Sequence, residues 1–261
     1  MTRVLCFSIS FVLFASVAYS QDFPDVPAKI TSQFAITLLE GRESNSLGAA
    51  PPSTGARTIS SLGLALIIDF EGAVKKGNTH IPYNDAAGYC TIGYGRLLKK
   101  DRCGNISLDV LKDGISEDQA VAFLKEDLSF ASLAVRKTAL YKEDKDGDGR
   151  RDAIETNIDQ FSALVSFIFN VGEGNFSKST LLRHMQRDRN DLAAREFMRW
   201  VRSNGTIYEG LIARRECEQT LFRGALTFGN NGKFTRSNCS SLGIASTAGD
   251  LIDIKTGEPT P

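Results

Sequence analysis

The segment His80-Ile-Pro-Tyr-Asn-Asp-Ala-Ala-Gly-Tyr-Cys-Thr-Ile-Gly-Tyr-Gly95 interrupts a chain whose other strong signals are helical. It carries turn chemistry at Asn84-Asp85 and at Gly88, then β-branched and aromatic residues spaced by glycines. That pattern predicts a small twisted hairpin sheet. On its N-terminal side, Ser60-Ser61 can cap a helix running through Leu64, Ile67, Ile68 and Glu71. On its C-terminal side, Ser116-Glu-Asp-Gln119 is a capping box opening a helix through Val121, Leu124 and Leu128. Phe161, Leu164, Val165, Ile168 and Val171 recur at helical spacing, as expected of a helix facing a core. Leu192 to Val201, which includes Trp200, and Gly210 to Leu221 read as two more helices. Ala213, Cys217 and Leu221 share a face on the second of these. The fold class is therefore α+β: a mainly helical domain with a small β subdomain.

Composition narrows the function. The chain has 261 residues with 31 basic and 31 acidic side chains. Such balance speaks against a nucleic-acid-binding protein, which needs a basic excess to meet phosphates. Its hydrophobic share of 42% is that of a chain with a real core. Residues 1–20 have the layout of a cleaved signal peptide: basic Arg3, an apolar run from Val4 to Val17, and a small-x-small ending at Ala18-Tyr19-Ser20. The expected protein is secreted or periplasmic, without stable membrane insertion once the segment is removed. Removal takes only Arg3 from the charged set and leaves a net charge of −1.

Export also takes Cys6 away. Cys90, Cys103, Cys217 and Cys239 remain, an even set suited to an oxidising compartment. Four cysteines allow three pairings, and spacing alone does not choose among them. The expectation adopted is the sequential one, Cys90–Cys103 with Cys217–Cys239, because it closes the shortest loops. A zinc site is disfavoured, since no C-x-x-C pair exists and the histidines are only His80 and His184. Both are read as surface or hydrogen-bonding residues. Residues 21–57 read as a linker with one short helical turn around Phe34 to Leu39. Residues 58–225 read as the domain and 226–261 as an irregular tail, pinned if Cys239 is bridged.

Two carboxyl groups stand out beside the hairpin. Glu71 ends an apolar helix, where a hydrophobic surface would raise its pKa and keep it protonated. Asp85 lies in a polar turn, where it would stay ionised. Two carboxyls with environments pushed apart are the equipment of glycoside hydrolysis.

The run Phe70-Glu71-Gly72, then Tyr83-Asn-Asp85, then Gly88-Tyr-Cys-Thr91-Ile-Gly-Tyr-Gly95 resembles the catalytic signature of the phage-type lysozymes, glycoside hydrolase family 24. The resemblance continues in Gln160-Phe-Ser-Ala-Leu-Val-Ser-Phe-Ile-Phe-Asn-Val-Gly172, in Asn175-Phe-Ser-Lys-Ser-Thr-Leu-Leu182 and in Gly210-Leu-Ile-Ala-Arg-Arg215. It implies a lysozyme-like, two-lobed fold with a cleft, the lobes joined by a long helix between Ser116 and about Leu140. It also implies an enzyme, a muramidase cleaving the β-1,4 bond between N-acetylmuramic acid and N-acetylglucosamine in peptidoglycan, with inversion. Glu71 matches the general acid, Asp85 the carboxylate that positions or activates water, and Thr91 the hydroxyl beside that water. No cofactor is expected for the chemistry, and the protein is expected to be a bacteriolytic monomer. Two departures stand out. About five residues, Lys75-Lys-Gly-Asn-Thr, lengthen the Glu71–Asp85 gap, reading as a loop extension at the cleft rim. Arg96 stands where histidine is common, a positive charge that would draw acidic wall polymers to the cleft.

Asp144-Lys-Asp146-Gly-Asp148-Gly149-Arg150-Arg-Asp152-Ala-Ile-Glu155 has the spacing of an EF-hand loop. Asp144, Asp146, Asp148, Asp152 and Glu155 would give side-chain oxygens and Arg150 its carbonyl to a structural Ca2+. A second function class is a non-hydrolytic wall-binding protein of the same fold, stapled by calcium. Intact Glu71, Asp85 and Thr91 favour the enzyme, since a binding module needs none of the three together. An uncleaved N-terminal anchor, with Cys6 as a free thiol, is disfavoured by the linker and the small-x-small site.

Overall fold

The structure is a computed structural model that describes residues 58–85, 87–108, 111–138, 154, 156–240, 242 and 251–259. The signal segment, the linker and nearly all of the acidic 144–155 loop lie outside the described residues.

Helix α1 (Ser61–Glu71) starts where Ser60 accepts the Gly63 N–H at 3.1 Å. It lies very close to α3 (Ile158–Val171): a β-carbon at Gly63 would sit 2.4 Å from Ser162 Cβ. Glycine is therefore required there, and Ser162 Oγ accepts the Ser60 N–H at 2.9 Å across the contact. The helix stops at Gly72, whose φ of +63° suits a residue without a β-carbon.

A β region follows, in two pieces. β1 (Lys75–Lys76) and β2 (Thr79–His80) pair antiparallel around a Gly77-Asn78 turn. The lengthened gap is thus an ordered hairpin. β3 (Tyr83–Asn84), β4 (Cys90–Ile92) and β5 (Arg96–Lys99) form a three-stranded antiparallel sheet in sequence order. The expected hairpin is present, with Cys90–Cys103 tying β4 to the loop after β5.

α2 (Glu117–Thr138) is the long helix, 22 residues or about 33 Å at 1.5 Å per residue. Its capping box is formed as expected: Ser116 accepts the Gln119 N–H, and Gln119 Oε1 accepts the Ser116 N–H. Leu124, Leu128 and Val135 face the core.

The helical lobe is built around α3. Every residue from Phe161 to Ile168 is buried, so the expected stripe is only part of a helix enclosed on all sides. The Phe167 ring meets those of Phe176, Phe197 and Trp200 edge-on at 5.2–6.3 Å between centroids. Around α3 lie α4 (Glu173–Lys178), α5 (Thr180–Met185), α6 (Asn190–Glu196) and α7 (Glu209–Phe222). α6 is shorter than the helix expected over 192–201. A 3-10 turn, Phe197–Arg199, turns the chain into the β6–β7 hairpin (Arg202–Ser203 and Thr206–Ile207), with Trp200 buried between them.

The tail is irregular yet contributes to the core. Leu251, Ile252, Asp253 and Ile254 are all buried. Asp253 bridges Arg202 in parallel, and the Asn175 amide donates to the Val171 and Ile254 carbonyls at 2.8 and 2.9 Å. Cys217–Cys239 is formed, the second of the two expected pairs. Among the described residues, no helix is long and apolar enough to cross a membrane.

His80 is fully buried, with Nε2 3.0 Å from Glu117 Oε2 at the start of α2. Glu117 also accepts from Lys75 at 2.6 Å and from the Tyr94 hydroxyl. This cluster joins the β region to the long helix. Burial opposes the Glu117 charge, but hydrogen bonds from Lys75, Tyr94 and His80 outweigh it and hold the carboxyl down at about 2. Its folded value lies below the ordinary 4.5, so its stabilisation is present above pH 4.5 and lost as pH falls through about 2. Thermal melts across that window should show a steeper fall for the wild type than for Glu117→Gln. Parallel curves would mean that the cluster adds no acid-sensitive stability.

Candidate active site

Glu71 is the last residue of α1, with its side chain 10% exposed. The surface it meets is not simply apolar, contrary to what its place at the end of an apolar helix suggests. Phe70 turns inward, and Glu71 Oε1 accepts from Arg214 Nη1 at 2.7 Å. Arg214 lies on α7, where it also donates to Glu218 Oε1 at 3.1 Å. Burial disfavours the Arg214 charge, but the two carboxylates more than offset this and raise its pKa above the ordinary arginine value. Arg214 is therefore a permanent cation that fixes one oxygen of Glu71 and leaves the other to a ligand.

Asp85 follows β3 in a tight turn. Its Oδ1 accepts two backbone N–H groups, from Ala87 at 2.9 Å and Tyr89 at 2.8 Å. Among the described residues nothing hydrogen-bonds Oδ2. The Tyr89 carbonyl accepts both the Asp85 N–H at 2.9 Å and the Thr91 hydroxyl at 3.2 Å. One peptide unit thus holds Asp85 and Thr91 in fixed relation. Thr91 is buried on β4, opposite Tyr83. Its proton is committed to Tyr89, so its oxygen presents lone pairs and accepts hydrogen bonds.

Tyr83 links the two carboxyls. Its phenol is raised in pKa first by burial, then by the negative charge of Glu71, then by that of Asp85. Both charges act on the Tyr83 hydroxyl, and Tyr83 pairs with Thr91 across β3 and β4. Nothing local in the sequence marks Tyr83 or Arg214 for these places beyond their lying inside segments that carry the family resemblance.

Arg96 does something other than expected. Its Nη2 donates to Glu126 Oε2 at 2.6 Å and to the Phe123 carbonyl at 3.1 Å. Its Nε lies 3.2 Å from Asp127 Oδ2, and its guanidinium covers the Phe123 ring at 4.8 Å. Its charge is thus neutralised along α2 and is not offered to a wall polymer. Burial pushes Asp127 up to about 6 despite Arg96.

The expected calcium ligands Asp144, Asp146, Asp148, Arg150, Asp152 and Glu155 lie outside the described residues. Among the described residues, no cluster of three or more His, Cys, Asp or Glu is arranged to hold a metal.

Residues 70–218 match the family model described as phage lysozyme. The chain is 35% identical over 164 residues to an endolysin of Bacillus phage B103, covering 63% of this chain and 53% of that protein. It is 30% identical over 164 residues to the endolysin of Salmonella phage P22, covering 63% of this chain and 97% of that one. Among solved structures, the muramidase domain of SpmX from Asticaccaulis excentricus is 27% identical with a TM-score of 0.48, covering 64% of this chain and 97% of that one. The chain spans about half the length of the Bacillus phage endolysins it matches.

Proposed function

The chain belongs to the phage lysozyme family, and from that footing we propose that it hydrolyses peptidoglycan as a muramidase, at the β-1,4 bond between N-acetylmuramic acid and N-acetylglucosamine. The Tyr89 backbone, which holds the Asp85 carboxylate and the Thr91 hydroxyl in fixed relation, is the observation that supports this reading. Glu71 protonates the glycosidic oxygen while Arg214 holds its other oxygen in place. Asp85, pinned by the Ala87 and Tyr89 amides, orients a water through Oδ2. Thr91 accepts a hydrogen bond from that water. A water held by Asp85 and Thr91, on the side away from the acid, gives inversion at the anomeric carbon.

The test uses purified wall. Release of reducing ends, with the first product observed by NMR in the opposite anomeric configuration, supports the reading. Tight binding to insoluble wall without new reducing ends would instead leave a binding protein.

The protein acts outside the cytoplasm in this reading, after removal of residues 1–20. Both disulfides suit an oxidising compartment.

One Ca2+ in the 144–155 loop completes the proposal. It stabilises rather than catalyses. Ile154, within the same stretch of sequence, is 3% exposed and joins the core, so an ion held by its neighbours would act next to a packed residue. An unpaired loop of this kind binds with a Kd of roughly 10⁻⁴–10⁻³ M. At hundredfold excess over Kd it adds about 2.7 kcal/mol. Millimolar calcium is expected to raise Tm relative to EDTA, with little change in initial rate. No calorimetric heat and no Tm shift would make the loop a solvated turn.

A further inference from the structure

The last turn of α1 is gripped from two sides. Asp69 and Glu71 are two residues apart, about 200° around the helix. Arg214 holds Glu71 at 2.7 Å. On the other side, Arg236 Nε donates to Asp69 Oδ2 at 2.6 Å and Nη2 to the Asp69 carbonyl at 3.2 Å. Phe70 lies between them, with the Arg236 guanidinium 4.2 Å and the Arg214 guanidinium 5.9 Å from its ring centroid.

Arg236 supplies what the helix lacks. α1 has no basic residue in its last turn, and its final carbonyls have no partner within the helix. Gly72 N–H takes the Ile68 carbonyl, and Arg236 takes that of Asp69. A cation at a helix C-terminus also complements the dipole. Here it arrives from 167 residues away.

The segment bearing Arg236 is built to hold it there. It begins a short 3-10 turn, Arg236–Asn238, capped by the Thr235 hydroxyl. The next residue, Cys239, is bonded to Cys217 on α7. Asn238 donates to the Thr227 carbonyl at 3.1 Å, Ser240 N–H to Thr220 Oγ1 at 2.9 Å, and Leu242 N–H to Gln219 Oε1 at 2.7 Å. Thr220 and Gln219 are buried on α7, the helix that carries Arg214. Both arginines thus refer the end of α1 to one rigid frame. Arg236 lies beyond residues 70–218, the part matched by the family.

The pair does little for overall stability. Arg236 is 48% and Asp69 39% exposed, and exposed ion pairs contribute little. Its effect is orientation. We propose that Arg236 is a positioning residue for Glu71: the strap after α7 fixes the last turn of α1, and with it the direction of the acid toward the glycosidic oxygen. This rests on the muramidase reading for its kinetic consequence.

Arg236→Gln is expected to lower kcat on solubilised wall fragments by about tenfold with KM unchanged, because small displacements of a catalytic group are costly. Asp69→Asn should do the same, and the double variant should lose no more than either alone. Arg236→Lys keeps the charge and one bond to Asp69, and recovers part of the loss. Tm should stay within about 2 °C in all of them. In parallel, the 13C resonance of the Glu71 carboxyl and the Gly72 amide should shift in Arg236→Gln. Unchanged kcat in a wild-type-active background, additive losses, or a fall in Tm matching the fall in rate would each overturn the proposal. If the wild type cleaves no wall, the muramidase reading fails separately, and the resonances decide: an undisturbed Glu71 carboxyl overturns the positioning role.

Discussion

Glu71→Gln is expected to give a folded protein whose hydrolysis of peptidoglycan falls by about 10²–10⁴-fold, the usual worth of a positioned general acid. The amide has no acidic proton for the leaving oxygen. Its oxygen still accepts from Arg214 Nη1, now 2.7 Å from Glu71 Oε1, so the side chain keeps its place. Arg214 also keeps Glu218, which spares the fold. Release of reducing ends, measured beside circular dichroism, checks both halves of the claim. A folded variant working at the wild-type rate would remove Glu71 from the role. Asp85→Asn should be comparably severe, because the remaining charge that orients water is lost. Thr91→Ala should be milder, since a solvent molecule can partly replace one hydroxyl.

The sequence displayed those elements whose signals are local. The Ser60 cap, the Ser116–Gln119 box and the stripe from Phe161 to Val171 each depend on neighbours within one or two turns, and each is formed. The Gly-spaced run through Thr91 likewise encodes its own sheet. Other features depend on partners far along the chain. Leu251–Ile254 carries no period that distinguishes a docked segment from a loop, and it is buried through Arg202, Asn175 and Arg199. The Lys75–Thr79 insertion reads as a loop because strands of two residues are too short to show alternation.

The candidate site shows the same division. Glu71, Asp85 and Thr91 are legible because the resemblance is carried by short motifs around them. Their surroundings are not. Arg214 and Arg215 sit beside Ala213, Cys217 and Leu221 on a helix whose pattern predicts a polar outer face. Arg-x-x-x-Glu spacing is common on exposed helices. Here Arg214, Arg215 and Glu218 are buried, because two carboxylates and two guanidinium groups neutralise one another inside the protein. Periodicity registers apolar faces and has no means of marking a polar face that is buried because it is paired. Arg96 is the converse: alone it looks like a free charge at a cleft, and only α2 supplies Glu126 and Asp127 to neutralise it.

That buried network carries the second large effect, on stability. Glu218 is fully buried and sits between both arginines. Its Oε1 accepts from Ser166 Oγ at 2.6 Å, Arg214 Nε at 3.1 Å and Arg215 Nη2 at 3.3 Å. Its Oε2 makes an ion contact of 3.0 Å with Arg215 Nε, off the line of a hydrogen bond. Burial already pulls Arg215 down to about 10, with Glu218 the main influence holding it up. Glu218→Ala leaves Arg215 with the Asn170 side-chain oxygen at 2.8 Å and the Phe167 ring at 4.9 Å, and no carboxylate in contact among the described residues. Breaking a buried pair from one side strands the other charge and costs about 3–5 kcal/mol. In a domain of this size that corresponds to a Tm lower by about 6–20 °C. Glu218→Gln retains an acceptor for Ser166 and the arginines but no charge, and should fall between the two. Activity should drop beyond the loss of folded protein, because Arg214 then loses the Glu218 contact that orients its guanidinium and keeps only Glu71 and the Ser166 carbonyl and hydroxyl at 3.3 and 3.4 Å. Thermal and denaturant unfolding of the three proteins at neutral pH measures this directly. If Glu218→Ala melted within about 2 °C of the wild type, Glu218 would not be neutralising these cations, and solvent or a rearranged partner would have to reach Arg214 and Arg215.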